Sequence, residues 1–452
     1  MDFNRHILKQ LHLWNADEDR KPLVLRGARQ VGKTTLVKSF SKNYTHFIHL
    51  NLERVKDIEF FIKYDDVKTI VEMLFLEQGI PSSEIKDTLL FIDEIQESPK
   101  AIQLLRYFYE DIPELNVISA GSLLEFAIRQ VKSFPVGRIE YLYMHPLNFS
   151  EYLEAVGLNL ALEQLKIIPL KQTAHQVLMN AFHQYTIMGG MPEVIKMFIK
   201  HNSLTVLPKI YESIWSTYKN DVEKYTTNNT ERKVIKFIVN NAHLYLDERI
   251  KFENFGKSNY KSREVGEAFR NLDDAKIIQL IYPTTEVEFP LKPDVKKAPR
   301  LQFLDTGLIN YSSGIQAQLL PLKDLSNAYK GRLIPHIFTQ ELISLNTYKY
   351  EKPFFWVRDK KGSSSEVDLV VTHNGLIIPI EIKSGKTGTL KSLHQFVERA
   401  PHQLAIRVYG GELKIEKAKT PSGVNYTLLN LPYYLGTKLP EYVAWFVEDN
   451  IN

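Results

Sequence analysis

Cysteine and long apolar runs are absent from this sequence. Without cysteine, the chain has no disulfide bonds, thiolate metal sites or cysteine nucleophiles, which suits a reducing compartment. No apolar run approaches the roughly 18 residues of a membrane-spanning helix, and the start, Met1 to His6, has no signal-peptide pattern. We therefore expect a cytoplasmic protein without a membrane segment.

The sequence also has little excess of either charge. Its 57 Lys and Arg residues face 53 Asp and Glu residues, giving a net charge of +4 over 452 residues. This balance does not predict a surface covered in positive charge, so nucleic-acid binding has to be argued from local features. Hydrophobic residues make up 44% of the chain, enough for packed cores. The length predicts about two to four domains.

A glycine-rich loop is present near the start of the chain. Residues Gly27 to Thr34 fit the phosphate-binding pattern G-x-x-x-x-G-K-[ST] at every fixed position, between an apolar strand-like run and a helix-forming run. The glycines let backbone N–H groups approach phosphate oxygens, while Lys33 reaches the β- and γ-phosphates and Thr34 binds Mg²⁺. The predicted nucleotide-binding residues are Gly27, Ala28, Arg29, Gln30, Val31, Gly32, Lys33, Thr34 and Thr35.

An acidic strand, Thr88 to Glu94, is the second signal. Its large apolar residues suit a strand buried on both faces of a parallel sheet, with two carboxylates at the edge where such sheets bind ligands. Asp93 is expected to hold Mg²⁺ through water, and Glu94 to orient and deprotonate the attacking water. Alone, the pattern also fits an ordinary buried strand with a solvated acidic end. With the glycine loop, it predicts binding and hydrolysis of a nucleoside triphosphate, with ATP as the expected one.

Strand-like segments at residues 45–52, 88–93 and 116–122 alternate with helical segments, which predicts a parallel, doubly wound α/β sheet. At the end of the third segment, Ser119 and Ser122 occupy the place of a polar sensor of the γ-phosphate. The alternative is that they cap the following helix.

A lone arginine, Arg138, ends the turn that begins at Phe134. It either stabilises transition-state charge, in its own chain or in a neighbouring subunit, or is an ordinary surface arginine.

Several motifs occur in the order seen in one bacterial and archaeal family: Gly27 to Thr34, Asp93 to Gln96, Ala120 to Ser122, Gly137 to Arg138, Pro146 to Tyr152, Tyr185 to Glu193 and Leu304 to Leu308. The chain resembles the AAA-type ATPases that carry a C-terminal domain of unknown function. The resemblance implies an AAA-type fold with nucleotide-driven conformational change, and it names no substrate.

The middle of the chain divides into two segments. Residues 150–230 are helical, break at Gly189 to Pro192, and resemble the helical lid that follows an ATPase core. Residues 231–303 have the order of a winged helix, whose third helix is Ser262 to Ile278. Its basic and acidic residues balance: Lys261, Arg263, Arg270 and Lys276 against Glu264, Glu267, Asp273 and Asp274. Because a neutral helix is poorly suited to phosphate contacts, we favour protein or interdomain packing over DNA reading.

The last part of the chain resembles the PD-(D/E)xK restriction-endonuclease-like fold, through Asp368 and the later pair Glu381-x-Lys383. Residues two apart on a strand share a face, so Glu381 and Lys383 point together and Asp368 on a neighbouring strand can meet them. The carboxylates are expected to hold Mg²⁺ or Mn²⁺, with Lys383 beside the metal. Glu341 resembles the helical glutamate of many such nucleases and would be a further ligand. The alternative is a charged strand end with an ion pair.

The predicted fold is therefore α/β with four parts: an AAA-type P-loop ATPase core, a helical lid, a winged-helix-like domain and a nuclease-like α/β domain, at residues 1–150, 151–230, 231–311 and 312–452. The first hypothesis is an ATP-driven switch coupled to a metal-dependent nuclease that acts on DNA in defence or genome maintenance. The second is a regulatory or scaffold ATPase whose last domain binds a protein partner without catalysis. Both allow a homo-oligomer.

Overall fold

The computed structural model describes residues 3–122, 124–130, 137–221, 226, 228–319, 325, 331–360, 365–385 and 389–451. The first three residues of the predicted turn, Phe134 to Val136, lie outside this part of the chain, as do residues 320–324 of the predicted linker Ser312 to Leu325. The described residues form two compact units. One contains the chain up to His145 with the short segments Asp274–Lys276 and Asn346–Tyr350, and the other contains the rest.

The first unit is built on a parallel sheet with helices between its strands. The strands are β1 (Leu23–Arg26), β2 (His46–Asn51), β3 (Thr88–Asp93), β4 (Asn116–Ala120) and β5 (Glu140–Tyr143). The helices are α1 (Leu8–Ala16), α2 (Lys33–Phe40), α3 (Val55–Lys63), α4 (Val67–Gln78), α5 (Pro99–Asp111) and α6 (Leu124–Gln130).

Every strand pair in this sheet is parallel, in the order β2-β3-β4-β1-β5. All of β3 is buried: Leu90 and Ile92 pack into the core formed with α3 to α5, and Leu89 and Phe91 lie on the opposite face. The doubly wound parallel sheet is confirmed. Because parallel strands end at the same edge, the chain segments that follow β1, β3 and β4 meet there.

Two short segments from later in the chain join the first unit. The Nζ atom of Lys276 lies 3.5 Å from Oε1 of Glu125 on α6 and 4.2 Å from the ring centre of Tyr350. The His145 ring stacks on Tyr350 with the centroids 5.6 Å apart. These contacts connect distant parts of the sequence, which local patterns do not indicate.

The second unit begins with helices α7 (Phe149–Ala155), α8 (Asn159–Leu165), α9 (His175–Met188), α10 (Pro192–His201), α11 (Leu207–Asp221), α12 (Asn229–Asn241) and α13 (Ser262–Asp274, whose last residue belongs to the first unit). The predicted break at Gly189 separates α9 from α10. The short strands β6 (Ile278–Ile281) and β8 (Arg300–Phe303) pair antiparallel, with β7 (Pro283–Thr284) between them in sequence, and the winged helix itself stays a prediction.

The remaining elements are α14 (Thr306–Ser312), α15 (Gln316–Leu319), α16 (Leu333–Ser344), β9 (Phe354–Val357), β10 (Glu366–His373), β11 (Leu376–Ile382), α17 (Lys391–Val397), β12 (Leu404–Tyr409), β13 (Lys414–Lys419), β14 (Asn425–Pro432) and α18 (Leu439–Ile451). They include a mixed seven-stranded sheet of order β13-β14-β12-β11-β10-β9-β7. Its last strand, β7, comes from outside the predicted segment 312–452. A strand of two residues has no detectable alternation, so the sequence did not predict it.

Candidate functional site

The glycine loop connects β1 to α2. Gly27 has φ 142°, and a Cβ atom there would lie 2.2 Å from the carbonyl oxygen of Met144. Gly32, with φ 99°, is the residue just before α2. Side chains are excluded at the first position and disfavoured at the second, so the backbone forms a tight loop at the N-terminus of a helix. Such a loop presents N–H groups to an anion.

The Lys33 ammonium group is buried inside this loop. Its Nζ atom donates to the carbonyl oxygens of Gly27 and Ala28, at 3.0 and 2.8 Å. Burial lowers the pKa of Lys33 to about 8, against the opposing effects of Glu94 and Asp93. A buried cation is costly unless an anion pairs with it, so this position suits a phosphate group.

Thr34 and Asp93 lie in direct contact. The Thr34 hydroxyl donates to Oδ2 of Asp93 at 2.8 Å, although the two residues belong to α2 and β3. A hydroxyl and a carboxylate are the hard oxygen ligands that Mg²⁺ prefers, so these residues fit the expected metal. The Nε2 atom of His49 lies 3.5 Å from the same carboxylate oxygen. The sequence interpretation missed His49.

Glu94 is held in an unusual backbone conformation directly after β3. Its φ is 52°, and its N–H donates to Oδ1 of Asp93 at 3.1 Å. Burial raises the pKa of the Glu94 carboxyl. Gln96 Nε2 donates to Oε2 of Glu94 at 2.6 Å, a contact that the sequence interpretation also missed. Positive φ at a residue other than glycine is costly and is found most often at functional sites.

The two candidate sensor serines differ in their surroundings. The Ser119 hydroxyl donates to the carbonyl oxygen of Leu23 at 3.3 Å, which links β4 to β1. The Ser122 hydroxyl is buried and has no hydrogen-bond partner among the described residues. Of the two serines, Ser122 is therefore the one whose hydroxyl group can donate a hydrogen bond to a ligand.

Arg138 lies on the surface of the first unit. Its Nε atom donates to Oε1 of Glu110 at 2.8 Å, and Arg106 donates to the same carboxylate. The Arg138 side chain is 45% exposed. Within one chain it therefore forms a surface ion pair, which leaves its action on a neighbouring subunit as a prediction.

Residues 19–153 match the family model of an AAA domain. We refer to this part of the chain as the AAA domain, after the model that it matches. It contains the glycine loop, Asp93, Glu94 and Ser122, and nucleotide binding is what such a domain implies. Two further models match later residues, 179–319 and 330–434, and each describes a domain of unknown function (DUF8612 and DUF4143). No curated protein matches the chain in sequence.

Solved structures show distant likeness. A Walker-type ATPase of Pyrococcus abyssi is 12% identical, with 69% of this chain and 96% of that chain covered and a TM-score of 0.43. A signal transduction ATPase with numerous domains and a tetratricopeptide repeat sensor, from Pyrococcus horikoshii, is 13% identical, with coverage of 76% and 48% and a TM-score of 0.28. The S. cerevisiae Hsp104–ADP complex is 13% identical, with coverage of 61% and 39% and a TM-score of 0.28. The TM-scores are low, and these likenesses do not bear on function.

Outside the AAA domain, the three residues of the predicted C-terminal site do meet. β10 and β11 are antiparallel neighbours, with Leu369 opposite Ile380. Asp368 Oδ2 accepts the N–H of Ile382 at 2.7 Å, and Lys383 Nζ donates to Oε1 of Glu381 at 2.6 Å. The alternation of side chains along the two strands produces this convergence.

A buried arginine from β8, Arg300, reaches the same carboxylates. It donates to the backbone carbonyl of Asp368 at 3.0 Å, and its Nη2 atom lies 3.6 Å from the Asp368 carboxylate. It also pairs with Glu366 and lies 3.7 Å from Asp247. Arg300 precedes Asp368 by 68 residues, a separation at which no sequence pattern indicates contact.

The chain's own basic groups lie against these carboxylates. Arg300 and Lys383 already contact the two carboxylates, and burial raises the pKa values of Asp368 and Glu381, which disfavours their charged forms. Among the described residues, no group of three or more His, Cys, Asp or Glu side chains is placed to hold a metal ion. These contacts would have to change before a metal could bind, and the Mg²⁺ or Mn²⁺ site expected at Asp368 and Glu381 stays a prediction.

Glu341, the third predicted metal ligand of this region, does not join Asp368 and Glu381 but has partners of its own. Its oxygens accept hydrogen bonds from the N–H of Phe149 at 3.0 Å and from the Tyr185 hydroxyl at 2.6 Å. Burial raises the pKa of Glu341 to about 8. These partners satisfy the buried carboxyl, and its role as a metal ligand stays a prediction.

The candidate DNA-reading helix α13 takes part in one exposed ion pair and one partly buried ion pair. Arg263 pairs with Glu267 at 3.0 Å, and Lys352 donates to Asp273 at 2.6 Å. Apolar side chains of α13 are buried, with Phe269 and Leu272 among them. The charge of Arg263 is thus balanced by a neighbour on the same helix, which makes this arginine less available to phosphates.

Among the described residues, the helices fall short of the length and apolar character that a membrane crossing needs.

Proposed function

We propose that this protein binds ATP with Mg²⁺ in its AAA domain, hydrolyses it, and acts as a regulatory or scaffold ATPase. The observation that carries this proposal is the meeting of Lys33, Thr34, Asp93 and Glu94 at one edge of the parallel sheet. On binding, Lys33 would exchange the carbonyl oxygens of its own loop for phosphate oxygens. Pairing with phosphate oxygens would offset the free-energy cost of burying the Lys33 ammonium group, which favours the triphosphate complex.

The chemical step requires a base at the γ-phosphate. Glu94 would take a proton from the attacking water while the water oxygen bonds to the γ-phosphorus and the bond to ADP breaks. The raised pKa of Glu94 makes its carboxylate a better proton acceptor than an exposed one. Mg²⁺, when held by Thr34 and Asp93, supplies charge neutralisation of the phosphate oxygens.

We propose that the second unit binds a protein partner without catalysis. The support is the Arg300 and Lys383 contacts to the carboxylates that a nuclease would need for its metal. The other candidate, a metal-dependent nuclease acting on DNA, is supported by the convergence of Asp368, Glu381 and Lys383. Both candidates use the same ATPase.

One experiment tests the ATPase and separates these candidates. The purified protein is incubated with ATP and Mg²⁺, together with supercoiled plasmid, linear DNA and RNA in parallel. We expect phosphate release and intact nucleic acids. Glu94→Gln should still bind ATP but release phosphate roughly 10²–10⁴-fold more slowly, the contribution of a general base. Glu114→Gln, an exposed change in the same domain, is the control.

Absence of phosphate release, or release at the parent rate by Glu94→Gln, would contradict the ATPase mechanism. Cleavage of nucleic acid that Asp368→Ala and Lys383→Ala both abolish would establish the nuclease candidate instead.

A further inference from the structure

Gln96 contacts the proposed general base directly. Its side-chain nitrogen lies 2.6 Å from Oε2 of Glu94. A carboxylate can only accept, so the amide must turn its N–H₂ group towards Glu94 and its carbonyl oxygen away. Hydrogen bonds to charged groups are stronger than neutral ones and fix orientation more firmly. The amide therefore holds one oxygen of Glu94 in place.

The other end of the amide lies against the segment that follows β4. A Cβ atom built on Gly121 would lie 2.6 Å from Oε1 of Gln96. This oxygen is buried and has no hydrogen-bond partner among the described residues. Gly121 is bonded in sequence to Ser122, whose hydroxyl is likewise buried without a partner in the described part of the chain. Gln96 thus contacts Glu94 in the segment after β3 and lies against Gly121 in the segment after β4.

We propose that Gln96 is a positioning residue for the hydrolysis. Its amide holds the Glu94 carboxylate and packs against Gly121, the residue before the candidate γ-phosphate sensor Ser122. This inference rests on the proposed ATPase function. Gln96 acts only through its contact with Glu94, because its amide does not itself exchange protons.

The test replaces the amide and follows binding and turnover separately. Gln96→Met keeps the length of the side chain but removes the donor, and Gln103→Met makes the same change on α5. For Gln96→Met we expect unchanged ATP affinity and KM, and a kcat lower by roughly 10- to 100-fold, the range for a hydrogen bond to a charged group. Gln103→Met should keep the parent kcat.

A second variant acts on the same contact from the other side. Gly121→Ala places a methyl group where the Gln96 amide lies, and the flexible side chain can move away without unfolding the sheet. Its kcat should also fall while its nucleotide affinity stays. The double variant Glu94→Gln with Gln96→Met should be no slower than Glu94→Gln alone, because a residue that acts through Glu94 has no effect once the base is gone.

The outcomes are distinguishable. If the unaltered protein releases no phosphate, the proposed function fails and this inference fails with it. If it hydrolyses ATP and Gln96→Met turns over at the same rate, only the role of Gln96 is overturned. A loss of ATP affinity in step with kcat would show a structural role, and a double variant slower than Glu94→Gln would show that Gln96 acts independently of Glu94.

Discussion

The guanidinium group of Arg300 lies 3.6 Å from the carboxylate of Asp368 and donates to the backbone carbonyl of the same residue. Both side chains are largely shielded from solvent, at 5% and 22% exposure. The acidic group expected to bind a metal is thus paired with a cation of the chain itself. Removing that cation would leave Asp368 and Asp247 without their arginine in a poorly hydrated interior, while Glu366 would keep its contact with Arg249.

We expect Arg300→Met to be strongly destabilising. Loss of one partner from a buried ion pair costs about 3–5 kcal/mol, because the remaining charges stay buried and unpaired. The matched control is Arg263→Met, which breaks an exposed pair with Glu267 and should cost less than about 1 kcal/mol. Urea unfolding of both variants measures the difference. Equal losses, or none, would mean that Arg300 does not balance the carboxylates.

Lys33→Ala should lose tight binding of ATP. The γ-phosphate charge would then have no ammonium group to pair with in the loop. Lys38→Ala changes an exposed lysine on the same helix and should bind ATP as the parent does. Equilibrium titration with a fluorescent ATP analogue provides the measurement. Similar affinity in both variants would remove Lys33 from the binding site.

Arg138→Ala tests action between subunits. If Arg138 stabilises transition-state charge in a neighbouring chain, specific activity should rise with protein concentration, and the variant should be slow by itself. Mixing it with Glu94→Gln should restore activity, because the second protein still supplies the arginine. Should Arg138→Ala hydrolyse ATP at the parent rate, the residue is only the surface partner of Glu110.

The buried Glu341 should make stability depend on pH. Burial raises its pKa from 4.5 to about 8, with Tyr185, Phe149 and Glu151 as its other neighbours. Between those pH values the folded state keeps a proton that the unfolded state has lost. The free energy of unfolding therefore falls as pH rises, by at most about 1.4 kcal/mol per pH unit from this group.

Glu341→Gln removes that contribution while keeping the shape of the side chain. Its oxygen can accept from the N–H of Phe149 and its nitrogen can donate to the Tyr185 hydroxyl. The variant should gain stability relative to the parent as pH rises from about 5 to about 8. Urea unfolding across this range checks it, with the exposed Glu253→Gln as control. A constant difference between parent and variant would show that Glu341 is ionised throughout.

Much of the AAA domain was predictable because its signals are local. The pattern from Gly27 to Thr34 and the apolar run before Asp93 each lie within a few residues, and parallel strands necessarily end at one edge. The alternation that placed Glu381 and Lys383 on one face is local too. In these cases, backbone geometry turns sequence spacing directly into spatial neighbours.

The sequence by itself thus determined the phosphate loop, the acidic strand end and the direction of the C-terminal side chains. Only the tertiary structure decided what those groups touch. It brought Gln96 against Gly121, Arg300 against Asp368, and Glu341 against Tyr185. Such contacts depend on how whole elements pack, and the free energy of a buried charge depends on every neighbour that replaces water. No local pattern in the sequence contains that information.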